Sequence, residues 1–105
     1  MSTRPAGRWV RSEDVLWRHL PDGVLLLTAR LSEPLAVRGS AAVPVWEHLA
    51  EPARAEELVA AVVAEAAAGP EGAAPLAVDP AIVAADVDQV LDSLIGCGAV
   101  EPAGR

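Results

Sequence analysis

The chain has 105 residues, of which 52% are hydrophobic, and its formal net charge is −7. This length suits one domain with a single core, which must consist mainly of Val, Leu and Ala around three Trp residues because there is no Phe or Tyr. A single cysteine, Cys97, excludes an internal disulfide and gives no metal-ligand spacing, and no apolar run reaches the roughly 20 residues of a membrane span. The negative charge lies mainly in residues 51–105, with ten acids against two Arg, which disfavours binding to a phosphate backbone there.

The first twelve residues carry three basic side chains, Arg4, Arg8 and Arg11, and no acid. This pattern predicts a flexible, solvated tail over residues 1–12, with a basic binding arm as the alternative. The segment lacks the charged-then-apolar pattern of a secretory signal. Together with the lone cysteine, this predicts a cytoplasmic protein.

Three short strands are predicted next. Residues 15–20 alternate between two faces, residues 21–23 (Pro-Asp-Gly) favour a tight turn, and residues 24–28 form a continuous apolar run. The third strand, Leu35–Arg38, follows Pro34, which cannot donate a hydrogen bond to a neighbouring strand. We therefore expect an antiparallel sheet whose third strand lies at an open edge, where another strand could pair.

A first helix is predicted over residues 40–50. Ser40 is the expected N-cap, and Pro44 falls near the first turn, where a missing N–H costs little. Trp46 lies on the apolar face of this helix and is expected in the core. A second helix should begin near Ala53 and carry one apolar stripe.

Residues 69–78 are rich in Gly, Pro and Ala, and we expect them to form a mobile loop. Asp79 and Pro80 then predict a sharp helix start, with Asp as N-cap and Pro at the first helical position. Gly96 and Gly98 should end this third helix, and a short return onto the core should precede a tail over residues 102–105. The apolar face of the third helix comprises Val83, Val87, Val90, Leu91 and Leu94.

No residue group predicts catalysis. His19 and His48 lie on different elements without a carboxylate at a motif spacing, and Cys97 follows a glycine near a helix end. Trp17 and His19 share one face of the first strand. That face could dock a partner or pack under the N-terminal segment.

The order and spacing of several short motifs resemble the PqqD-like family of peptide chaperones, also called RiPP recognition elements. The motifs are Trp17-Arg18, Asp22-Gly23, Leu25 to Leu27, Val45 to Leu49, Glu56 to Leu58, and the ending formed by Asp86, Val87, Leu91, Leu94, Gly98 and Val100. The resemblance covers about Trp9 to Glu101. Members of this family act as chaperones for peptides that are made by the ribosome and then modified.

The resemblance implies an α+β domain over residues 13–101, winged helix-turn-helix-like, in which a three-stranded antiparallel sheet precedes three helices. It implies neither catalysis nor a cofactor. The leader part of a precursor peptide would add as a strand beside the third strand, with its apolar side chains against the third helix. The implied contacts are Leu35, Ala36, Val37, Arg38, Val83, Asp86, Val87 and Val90.

The implied partners are a precursor leader peptide and a modifying enzyme, such as a radical S-adenosylmethionine protein, a leader peptidase or a cyclase. The domain itself is expected to be a monomer or weak homodimer. Arg38 could pair with an acidic leader residue or be solvated. The 69–78 loop and Pro44 depart from the family pattern and leave the class of enzyme partner open.

A winged-helix transcriptional regulator or a protein-interaction adaptor is the alternative, since such proteins share this order of helices. A recognition helix normally presents basic or amide side chains to base edges. Here the third helix carries Asp86, Asp88 and Asp92, and no basic residue occurs between Arg54 and Arg105. We therefore expect no nucleic-acid partner.

Overall fold

The computed structural model describes residues 7–68 and 79–103. Six strands and three helices occur in these ranges, an α+β arrangement that confirms the expected fold class. The elements are β1 (Arg8–Arg11), β2 (Leu16–Leu20), β3 (Gly23–Leu27), β4 (Leu35–Arg38), α1 (Ala42–His48), β5 (Ala53–Arg54), α2 (Ala55–Ala68), α3 (Pro80–Cys97) and β6 (Val100–Pro102). The predicted 69–78 loop lies outside the described residues.

The predicted antiparallel sheet is present, with strand order β2-β3-β4. Gly23 follows the Pro21-Asp22 turn and is opposite Arg38 in β4. A Cβ atom at Gly23 would collide with the carbonyl oxygen of Val37, so this close approach of β3 and β4 requires glycine. Within the described residues β4 pairs with β3 alone, which leaves its other edge open as predicted.

A second sheet, with order β5-β1-β6, was not predicted. The expectation of a flexible tail over residues 1–12 is wrong for Arg8–Arg11, and that of a tail from residue 102 is wrong for Pro102. Trp9 is opposite Ala53 on one side and Pro102 on the other. The N-terminal strand β1 therefore lies between β5, which precedes α2, and the C-terminal strand β6. These strands have two to four residues, too few to give a readable alternation.

The starts of the helices differ in how they are capped. Ser40 is not the N-cap of α1, because Ala41 holds that position without a side-chain hydrogen bond. The predicted start of α3 is confirmed: the Asp79 carboxylate accepts a hydrogen bond of 2.9 Å from the Ala81 N–H, and Pro80 opens the helix. At its other end α3 continues through Gly96 and stops at Gly98, whose φ of 80° suits glycine.

One apolar core lies between the β2-β3-β4 sheet and the three helices. Its largest fully buried side chains are Trp46, Leu26, Leu49, Leu58, Leu91, Leu94, Val24, Val45 and Val87. The prediction that Trp46 is a core residue is thus confirmed. None of the helices in residues 7–68 and 79–103 has the length and hydrophobicity that crossing a bilayer would require.

Candidate functional site

The free edge of β4 presents backbone groups at two positions. Just beyond the strand, the N–H of Gly39 donates to the carbonyl of Asp22 at 2.9 Å, which marks a hydrogen-bonded pair. Such pairs alternate along an antiparallel ladder, so Val37 also bonds to β3. The N–H and C=O groups of Ala36 and Arg38 therefore point away from the sheet, and these are the groups that an added strand would engage.

Helix α3 runs beside this edge, and a furrow separates the two. We define the furrow as three adjoining cavities of about 210, 220 and 260 Å³, each of which shares lining residues with the next. On α3 its lining residues follow helical spacing, from Val83 to Ser93. At 1.5 Å per residue this stretch is about 15 Å long, the length of roughly five residues of an extended peptide.

The structure brings five of the eight residues predicted for the site together in the furrow. Those five are Val37, Arg38, Val83, Asp86 and Val90. Leu35 and Ala36 lie on β4 without lining the three cavities, although Ala36 contributes its outward backbone. Val87 is fully buried, so its predicted position in direct contact with a ligand is wrong: it packs beneath the furrow as part of the core.

Several furrow residues were missing from the sequence-based site. They are Ser40, Ala41, Pro44, Val62, Glu65, Ala66, Gln89 and Ser93. The α3 members could have been found, since Gln89 and Ser93 flank the apolar face of an obvious amphipathic helix. Glu65 could not, because its place in the site depends on how α2 packs against α1 and α3.

Arg38 already has a partner within the chain. Its guanidinium lies 2.6 Å from the Asp22 carboxylate, and both side chains are more than half exposed. An exposed pair of this kind contributes about 0–1 kcal/mol to stability. It links the β2–β3 turn to the end of β4 and directs the Arg38 charge toward that turn.

The furrow is therefore apolar in part and acidic in part. Val37, Val90 and Val83 supply its apolar surface, whereas the exposed carboxylates of Asp86 and Glu65 lie beside it. Arg38 also lines two of the three cavities, but its guanidinium is paired with Asp22, whereas no basic residue lines the cavity that holds Glu65. The arrangement can bind an extended chain that carries apolar and basic side chains, and it would repel a nucleic-acid backbone.

On the far side of the sheet, an arginine from β1 packs between two tryptophans. The Arg11 guanidinium lies 4.8 Å from the ring centre of Trp17 and 4.6 Å from that of Trp46, and its Nε donates to the Trp46 carbonyl at 2.9 Å. Burial lowers the pKa of Arg11, and the Glu47 carboxylate partly offsets this effect. Trp17 thus contacts the N-terminal segment through Arg11, yet 39% of its surface stays exposed, so both predicted alternatives for this residue remain predictions.

The candidate nucleophiles and bases lie apart from the furrow. His19 contacts the edge of Trp17, with ring centres 5.1 Å apart, and His48 is exposed in the last turn of α1. Cys97 is buried, and its Sγ lies 3.5 Å from the Leu94 carbonyl oxygen. None of these residues lines the three cavities of the furrow.

No protein-family model and no curated protein matches this sequence. Among solved structures, that of TbiB1 in complex with the TbiA(beta) leader peptide is similar to this chain, with 25% sequence identity and a TM-score of 0.62. The likeness covers 91% of this chain and 99% of the other. It therefore extends over most of this chain.

Proposed function

We propose that this domain binds the leader region of a ribosomally made precursor peptide by adding it as a strand to β4. The observation that carries the proposal is the open β4 edge facing a furrow on α3. The likeness to TbiB1, a structure solved with a leader peptide, supports the same function. On this proposal the domain is a RiPP recognition element of the PqqD-like kind, with a winged helix-turn-helix-like fold.

The physical case rests on two contributions to binding. The outward backbone groups of Ala36 and Arg38 supply hydrogen bonds that tolerate variation in the peptide sequence. The apolar surface around Val37 and Val90 supplies side-chain burial that selects among sequences. Micromolar affinity requires about −8 kcal/mol, which a short strand with two or three buried side chains can provide.

We further propose that the domain does no chemistry and holds no cofactor. In the cytoplasm it would deliver the bound leader to a modifying enzyme, such as a radical S-adenosylmethionine protein, a leader peptidase or a cyclase. Binding through one sheet edge leaves the rest of the protein surface available to that enzyme.

An NMR titration tests strand addition directly. Isotope-labelled protein is titrated with the leader half of a short precursor encoded beside it and, separately, with duplex DNA. We expect peptide-induced shifts in the amides of Ala36, Arg38 and Gln89, with little change in β1. Shifts with DNA and none with peptide would contradict the proposal and favour the winged-helix regulator.

A matched pair of variants tests the furrow. Gln89→Trp fills the furrow from an exposed position on α3, and we expect it to weaken leader binding at least tenfold, about 1.4 kcal/mol. Ala85→Trp adds the same ring to an exposed residue outside the three cavities and should leave affinity unchanged. Equal affinities of the two variants, measured by calorimetry, would refute this site.

A further inference from the structure

The furrow continues beyond the end of β4. Its cavity of about 260 Å³ lies between α1, α2 and α3, and it joins the middle cavity through Ser40, Ala41 and Asp86. The middle cavity, which Arg38 and Gly39 line, thus connects the edge of β4 with this cavity. We call the cavity of about 260 Å³ the end cavity.

The end cavity has an apolar lining and two carboxylates. Ala41, Pro44 and Val83 form part of the apolar lining. Glu65 on α2 and Asp86 on α3 are exposed residues that line the same cavity from different helices. No basic residue lines the end cavity; Arg38 lines the adjoining middle cavity beside Asp86, but its guanidinium is paired with Asp22.

Antiparallel pairing with β4 determines which leader residues reach the end cavity. If the leader runs antiparallel to β4, its N-terminal part lies toward Ser40 and its C-terminal part toward Leu35. The residues that reach the end cavity are then those that precede the paired segment. An extended peptide advances about 3.3 Å per residue, so they lie only a few positions away from it.

We infer that the end cavity selects leaders with an apolar side chain next to a Lys or Arg, on the N-terminal side of the strand-forming segment. The apolar side chain enters between Pro44 and Val83, and the neighbouring cation lies between Glu65 and Asp86. Charge complementarity and continuity with the β4 edge identify this occupant. The inference rests on the proposed function, since it concerns the same bound peptide.

A randomised twelve-residue peptide display library, selected on the wild-type protein, tests the inference. We expect the selected peptides to share a Lys or Arg beside an apolar residue, ahead of the segment that pairs with β4. The Glu65→Gln/Asp86→Asn double variant should select peptides without this enrichment. Asp92→Asn, on an exposed α3 position outside the three cavities, is the charge-matched control and should retain it.

Individual peptides then give the size of the effect. A selected peptide should bind the Glu65→Gln/Asp86→Asn variant about fivefold more weakly than the wild type, and the difference should shrink in high salt. Replacement of its basic residue by norleucine should abolish the difference between the two proteins. Both substitutions are isosteric and exposed, so circular dichroism should show an unchanged fold.

The possible outcomes separate the two proposals. Selected peptides without a basic preference would overturn the inference but leave strand addition intact. A library that yields no binder would overturn both. A dimer of the unliganded protein that is lost on filling the cavity by Ala66→Trp, measured by sedimentation, would assign the end cavity to a second copy and overturn the inference.

Discussion

The side of the sheet near β1 and the side near β4 use arginine in opposite ways. Near β1, Arg11 lies between the rings of Trp17 and Trp46 and is partly desolvated. Near β4, Arg38 forms an exposed ion pair with Asp22 across a turn. The first arrangement fills the space between a strand and a helix with aromatic and cationic groups, whereas the second leaves a furrow beside the strand.

The side near β4 stays open because the side chains that line it are small. Small side chains at Ser40 and Ala41, together with the valines of β4 and α3, leave the furrow unfilled. The contrast shows that the same three-stranded sheet is held against the N-terminal segment at one side and borders a furrow at the other. Substitutions on the two sides should therefore separate stability from binding.

The largest effect is expected at Gly23, where β3 and β4 approach each other closely. Gly23→Ala places a methyl group against the Val37 carbonyl, so β3 and β4 must separate. We expect a loss of about 3 kcal/mol in the free energy of unfolding, with weaker leader binding because β4 moves. Urea denaturation measures the first effect and calorimetry the second.

Gly96→Ala is the control for this substitution. Gly96 lies inside α3, and a Cβ there meets open space. Alanine should stabilise the helix by about 0.5–1 kcal/mol and leave affinity unaltered. If both variants unfold at the same urea concentration, the close approach at Gly23 is not a constraint on the fold.

Arg11→Ala should lower the free energy of unfolding by about 2 kcal/mol, because it removes two cation–π contacts and a hydrogen bond to the Trp46 carbonyl. Leader affinity should stay within twofold of the wild type, since Arg11 does not line the furrow. Thermal unfolding followed by tryptophan fluorescence measures stability. The control is Arg18→Ala, which removes an exposed arginine of β2 and should change the free energy of unfolding by less than about 0.5 kcal/mol.

Ala36→Pro should act on the open side. Its N–H points away from β3, so proline removes no bond within the sheet, but it blocks the edge to an incoming strand. We expect leader affinity to fall about tenfold, or 1.4 kcal/mol, with a smaller change in stability. Val37→Pro is the comparison variant. The N–H of Val37 faces β3, so proline there removes a hydrogen bond and should lower the free energy of unfolding more than Ala36→Pro does. The reverse order would show that the hydrogen-bond alternation assigned to β4 is wrong.

Arg38→Ala is expected to have the smallest effect. Because the Arg38–Asp22 pair is exposed, its removal should cost at most about 1 kcal/mol, and less in high salt. Chemical denaturation at low and high ionic strength measures this. A loss as large as that of Arg11→Ala would remove the distinction between the two arginines.

Local signals in the sequence were sufficient for part of the fold. Pro21-Asp22-Gly23 and the apolar run after it gave the hairpin, Pro34 placed the third strand at an edge, and Asp79-Pro80 gave the start of α3. In each case the determining residues are neighbours in the chain. The winged helix-turn-helix classification remains a prediction.

The missing parts depend on residues that are far apart in sequence. Trp9 pairs with Ala53 and Pro102, and no local pattern in a four-residue strand identifies partners at those distances. The role of Arg11 was missed for the same reason, because it depends on Trp46. Val87 was placed in the binding site because helical periodicity identifies an apolar face but not which part of it is covered.

The second sheet also determines how this domain can be joined to other proteins. The N–H of Ala103 donates to the carbonyl of Arg8 at 2.9 Å, so the two ends of the described fold are adjacent. A domain with adjacent ends can be inserted into a surface loop of a host protein without separating the host's two halves. Insertion into a short surface loop of a chosen enzyme, with a flexible glycine at each junction, would attach the β4 edge directly to that enzyme.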